Sequence, residues 1–195
     1  MTLKIRPHLY AASAALCLLP VSLAAEPSPA CSYGDPAVFA EISDGFVGEW
    51  QMHHQSGFFI AAGMTMPFGA DPDGPETITL FSMNGDLVVT HPQAQEPLVM
   101  TWADEPVWKF QSEADADGVP EPLLSSSDIE NVMGCSNDRM ARLIGHSTAV
   151  VDGVKMEFTY RLMVTNKDGM YGIMHMSSVA HGIPVNAWRS VRLFR

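Results

Sequence analysis

Four side chains with metal-binding chemistry fall within seven positions: Met170, Met174, His175 and Met176, in the stretch MYGIMHM. Thioether sulfur and imidazole nitrogen together suit soft ions such as Cu(I), so a copper site is one reading. Strand periodicity gives another. In an extended chain Met170, Gly172, Met174 and Met176 share one face, while Tyr171, Ile173, His175 and Ser177 share the other. His175 then points away from the methionines, and the thioethers become adaptable packing in a wall.

The same period sorts the other candidates. In GEWQMHH, Trp50, Met52 and His54 lie on one face, opposite Gln51, His53 and Gln55. In VKMEFTYRLMV, Val154, Met156, Phe158, Tyr160 and Leu162 alternate with Lys155, Glu157, Thr159, Arg161 and Met163; the charged set must face water. His146 shares a face with Met140 and Ile144, which admits a second inward imidazole beside His54. Trp50, Met52, His54, His146, Met156, Phe158, Tyr160, Met174 and Met176 thus outline an apolar interior with a few polar groups. That is the chemistry of a site for a small apolar or amphipathic molecule. The bland alternative for either histidine is a buried ring satisfied by a neighbouring hydroxyl or carbonyl. His91 and His181 fall beside turns and are expected in solvent.

Two further patterns carry less. Glu113, Asp115, Asp117 and Gly118 occupy the first, third, fifth and sixth places of a calcium loop, but Leu124 stands where the bidentate acid belongs. An exposed acidic loop accounts for them. No Gly-x-Ser-x-Gly elbow, HExxH pair or phosphate-cradling glycine loop is present. No reaction and no cofactor is therefore assigned.

The elements that must position these residues begin after a leader. Lys4 and Arg6 precede an apolar run from Ala11 to Leu23 that ends in small residues, the order of a secretory signal peptide. Cleavage is expected after Ala24 or Ala25, and the run is too short to span a bilayer. Residues 1–25 are thus set apart from an arm with a short helix, 26–45, and a folded domain, 46–195. Loss of Lys4 and Arg6 takes the formal charge from −11 to −13. So anionic a surface repels phosphate backbones, which disfavours nucleic acid as a partner. Cys17 leaves with the leader, and Cys31 and Cys135 remain as an even pair in an oxidising compartment, periplasmic or extracellular. A bond between them is predicted.

Asp35-Pro36 before Val38, Phe39 and Ile42 reads as a capped helix ending before Gly45. Asn84-Gly85, Asp152-Gly153 and Asp168-Gly169 mark tight turns between β-rich runs. Reading outward from them gives strands near 76–83, 86–91, 139–151, 154–165, 170–180 and 185–194, with others at 57–66, 97–102 and 107–112. Ser127 and Glu130 form a capping box for a second short helix closed by Gly134. Residues 69–76 and 113–122 read as exposed loops. Eight to ten antiparallel strands must hide their edges, and an up-and-down barrel does so most simply. Such a barrel is either filled or holds one small ligand. The fold class is therefore mostly β, an antiparallel up-and-down barrel of 8–10 strands with one or two short helices.

Gly48-Glu49-Trp50 opening the first strand after a short helix, and an arginine-bearing last strand, resemble the calycin, or lipocalin-like, barrels. The resemblance implies that Trp50 closes the barrel floor under Arg189 or Arg192, and that the interior binds a small molecule. The segment MYGIMHMSSVAHGIPVNAWRSVRLFR is similar to the last two strands of nitrobindin-type haem barrels. Where those proteins carry the haem-ligating histidine, this chain has Trp188. A ligand-binding barrel is thus the leading expectation, with a copper or haem binder using Met and His, and an interaction module with a filled barrel, as the alternatives.

Overall fold

The computed structural model describes residues 29–91, 96–103 and 126–195. The expected leader, the expected strand at 107–112 and the acidic stretch 113–122 lie outside the described residues.

Among the described residues nine antiparallel strands form a single sheet: β1 (Gly48–Ala61), β2 (Met64–Phe68), β3 (Glu76–Met83), β4 (Asp86–Thr90), β5 (Leu98–Trp102), β6 (Arg142–Val151), β7 (Val154–Asn166), β8 (Gly169–Ala180) and β9 (Ile183–Phe194). Each pairs with its neighbour in the order β2-β1-β3-β4-β5-β6-β7-β8-β9, and β1 pairs again with β9. That last pairing closes β1 and β3 to β9 into an eight-stranded barrel. The lower half of β1 pairs with β3 and its upper half with β2, so β2 is a flap on the upper wall. What sequence divides into a strand at Gly48 and another at 57–66 is one long strand. An unmarked turn at Ala62-Gly63 follows it, with both residues at positive φ.

Alternation along the strands separates inside from outside. Ile78 and Leu80 are buried while Thr77, Thr79 and Phe81 are exposed, and Leu143 and Gly145 are buried while His146 is exposed. The outer face also contributes to closure. Phe58 of β1 stands opposite Trp188 of β9 with ring centroids 5.2 Å apart, and His175 of β8 stacks on the same indole at 4.8 Å. Such aromatic pairs add about 0.5–1.5 kcal/mol beyond the area they bury.

The floor is built from the N-terminal arm. Asp35 caps α1 (Pro36–Ile42) by accepting from the Ala37 amide, as its position before Pro36 predicts. A 3-10 turn follows and delivers Phe46, and Phe39, Phe46 and Trp50 pack in succession with centroids 6.1 and 6.3 Å apart. The Trp50 indole N–H donates to the Phe46 carbonyl at 2.8 Å. An arginine lies over the Trp50 ring, but it is Arg195, at 4.6 Å. Arg195 also donates to the carbonyls of Gly45 and Val47, tying the chain end to the floor. Arg189 instead faces the interior and Arg192 lies over Phe194, so neither takes the place expected of it. Alternation explains this: Arg192 points outward, and Arg189 points inward but lies too far up β9 to reach the floor.

α2 (Ser126–Met133) is closed by Gly134 at φ 72°. The Cys31–Cys135 disulfide is formed, with Cα atoms 5.9 Å apart, and joins the arm to the segment after α2. Among the described residues no helix is long and apolar enough to cross a membrane.

Candidate functional site

The upper end of the barrel, opposite the floor, contains a cavity of about 340 Å³. Its existence follows from residue size. The inward positions of β6 above Leu143 are Gly145, Ser147 and Ala149, all small, whereas the strands beside and across from β6 present Met52, Val89, Leu98, Phe158 and Tyr160. At Gly145 the space is already taken, since an added Cβ would lie 2.8 Å from the Leu98 Cδ1. Ser147 and Ala149, higher up, border the open volume.

One side of the cavity is polar, and a bulge in β1 sets it up. Pairing of β1 with β9 shifts between His54 and Gly57, which leaves the carbonyls of His54 and Gln55 outside the ladder. Arg189, inward from β9, satisfies them: its Nη2 donates to His54 O and its Nε to Gln55 O, both at 2.9 Å. Gly57, opposite Arg189, has no room for a side chain: a Cβ there would run into the Trp188 carbonyl oxygen of β9 and lie 2.7 Å from the Arg189 Cβ. The loop after β2 then folds back. The Asp71 amide donates to His54 O at 3.0 Å, and the Asp71 carboxylate accepts from the Asp73 amide in a tight turn. Glu76 opens β3 opposite Met52, on the inward face it shares with Ile78 and Leu80. These three elements bring His54, Asp71 and Glu76 together, with one donor atom from each within 4.8 Å of the others. His91 contacts Glu76 in an ion-pair geometry and is half-buried.

This polar wall has unusual protonation. Burial, followed by the positive charge of Arg189, pushes His54 down from 6.5 to about 4, partly opposed by Asp71. The ring is neutral at pH 7, and its Nε2 is shielded with no hydrogen-bond partner among the described residues. Burial, helped by the charge of Glu76, pushes the Tyr160 phenol up to about 12, so it remains a neutral donor. Its ring tilts toward His54 with centroids 6.4 Å apart.

Of the residues singled out from sequence, Met52, His54, Phe158 and Tyr160 line the cavity. Trp50 does not; it belongs to the floor at the other end. Met174 faces inward and is buried opposite Tyr160 and Arg189, while Met176 and Met156 are half-buried on the inward face outside the cavity. His146 is a correction: it points outward, is exposed, and shares a hydrogen bond with Thr159 at 3.2 Å. The inward residues of β6 are the odd ones, because register with β7 pairs Gly145 with Tyr160. Met174 and Met176 do not chelate with His175, whose ring hydrogen-bonds Asn186 on the outer face. Asp71, Glu76, His91 and Arg189 were missed as members of the site. Parity marked three of them: Glu76 is in phase with Ile78, His91 with Leu87 and Val89, and Arg189 with Val191 and Leu193. No protein-family model matches the chain, and a search of characterised proteins finds no match.

Proposed function

We propose that this chain is an exported, calycin-like barrel that binds one small amphipathic molecule at the upper end, with the leader at residues 1–25 removed. The observation that carries the reading is the cavity of about 340 Å³ in which His54, Glu76, His91 and Tyr160 stand among apolar side chains. Its size lies at the lower end of the range for small-molecule sites. Met52, Val89, Leu98 and Phe158 would bury the apolar part of the ligand, at about 25 cal/mol per Å² removed from water. Tyr160 would donate to a polar head group and neutral His54 would accept from or donate to it. A Cys31–Cys135 bond fits an oxidising compartment, which supports export.

A solvatochromic naphthalene probe tests the reading. It is expected to bind with one-to-one stoichiometry and to be displaced by medium-chain amphiphiles. Ala149→Phe, which puts a ring into the space that small β6 residues leave, should weaken the probe by more than tenfold, the effect of about 1.4 kcal/mol. Equal affinity for wild type and Ala149→Phe would place any binding elsewhere.

A further inference from the structure

We propose that His54, Asp71 and Glu76 hold a divalent transition-metal cation of the zinc class in the polar wall of the cavity, leaving one coordination position for water or a bound molecule. Three observations converge. The donor atoms come from three separate elements, the end of the lower half of β1, the loop after β2 and the first residue of β3, yet lie within 4.8 Å of one another. Tetrahedral zinc at ordinary bond lengths places its donors about 3.4 Å apart, so a contraction of at most about 1.4 Å completes the site. Asp71, on a turn, and Glu76, at a strand end, can supply that contraction by side-chain rotation.

The second observation is the orphaned imidazole nitrogen. A shielded Nε2 without a partner among the described residues has a cost in a folded protein unless something else satisfies it, and with two carboxylates near the ring that something is a cation. The third is charge. Two carboxylates and one neutral imidazole balance a divalent ion, and Arg189 is already committed to the carbonyls of His54 and Gln55. His91 contacts Glu76, in the way outer partners commonly orient a ligating group.

The donor set selects the ion. It contains no sulfur, which disfavours Cu(I), and an imidazole among three donors disfavours calcium and magnesium. One nitrogen and two oxygens suit Zn2+, and three protein ligands with one position open is the arrangement of a zinc that meets a substrate or ligand. The donors are present whether or not an organic molecule occupies the cavity, so the site stands or falls separately from the ligand-binding reading.

Zinc titration of the purified, tag-free chain with its disulfide intact, stripped of metal and of organic ligand, tests the proposal by calorimetry and elemental analysis. One Zn2+ per chain is expected. Asp71→Asn, Glu76→Gln and His54→Gln should each weaken it by about tenfold or more, while His146→Gln, on the outer face, should leave it unchanged. Circular dichroism confirms that each variant is folded, and if His54→Gln is not, the two carboxylate variants decide. Co2+ in place of Zn2+ should give visible absorption that the Asp71→Asn/Glu76→Gln double variant loses. No saturable zinc binding up to about 100 µM, or stoichiometric zinc retained by that double variant, overturns the proposal.

Discussion

Acid titration separates the contribution of His54 from those of its neighbours in the metal-free protein. The ring has a pKa of about 4 in the folded chain against 6.5 when exposed. Between these values the unfolded chain carries a proton on His54 that the folded chain excludes. The unfolded state therefore binds more protons, and stability falls as pH drops through this window. Above about pH 7 both states are neutral and His54 imposes no penalty; below about pH 4 both are protonated and the penalty levels off. Each tenfold loss of proton affinity on folding is worth about 1.4 kcal/mol, so the loss due to His54 reaches about 2 kcal/mol at pH 5 and about 3 kcal/mol at pH 4. Urea unfolding of wild type and His54→Gln at both ends of the window measures it. Asp71, Glu76 and the remaining carboxylates are common to the two proteins and largely cancel in the difference. Wild type should lose about 2 kcal/mol more than His54→Gln between pH 7 and pH 5. Equal losses would refute the burial and Arg189 repulsion assigned to this ring.

Other perturbations probe the frame around the cavity. Trp50→Ala should lower stability by about 3–5 kcal/mol by chemical denaturation, since the indole is fully buried and spans the floor between Phe46 and Arg195. Trp50→Phe should lose less, and loss below about 1 kcal/mol for the alanine variant would show that the floor can collapse without it. Replacing Cys31 and Cys135 together by serine should cost about 2–5 kcal/mol, because the bond closes a loop of 104 residues in the unfolded chain. An unchanged urea midpoint would contradict that.

The barrel was largely legible because turn chemistry and alternation agree. Asn84-Gly85 and Asp152-Gly153 both adopt positive φ, as two-residue hairpins of matching twist require. Asp168-Gly169 also marks a reversal, but the chain turns there by a different route: a register shift after Val164 and an Asn166 side chain accepting from the Asp168 amide. Ala62 and His181 adopt the left-handed conformation without the residue types that announce it, so the Ala62-Gly63 turn carries no mark in the sequence. The site was legible only in part. Met52, His54, Phe158 and Tyr160 follow from strand parity, and Glu76 and Arg189 carry the same signal. Sequence instead puts Glu76 at the end of an exposed loop and assigns Arg189, as an alternative to Arg192, to the floor over Trp50, and only the closed sheet shows that inward charges at this end face one another. Asp71 had no signal, since it reaches the site through a loop whose path depends on the β1 bulge. His146 failed because neighbouring residues in a strand share no face, and a one-residue error in phase reverses every assignment.

Native mass spectrometry of the protein purified from its own source tests the central claim most directly. A binding barrel should carry one small organic molecule per chain through gentle desolvation and release it on denaturation, and Ala149→Phe should arrive without it. A wild-type mass equal to that of the bare disulfide-bonded chain, or an adduct that Ala149→Phe retains in full, would contradict a ligand held in this cavity.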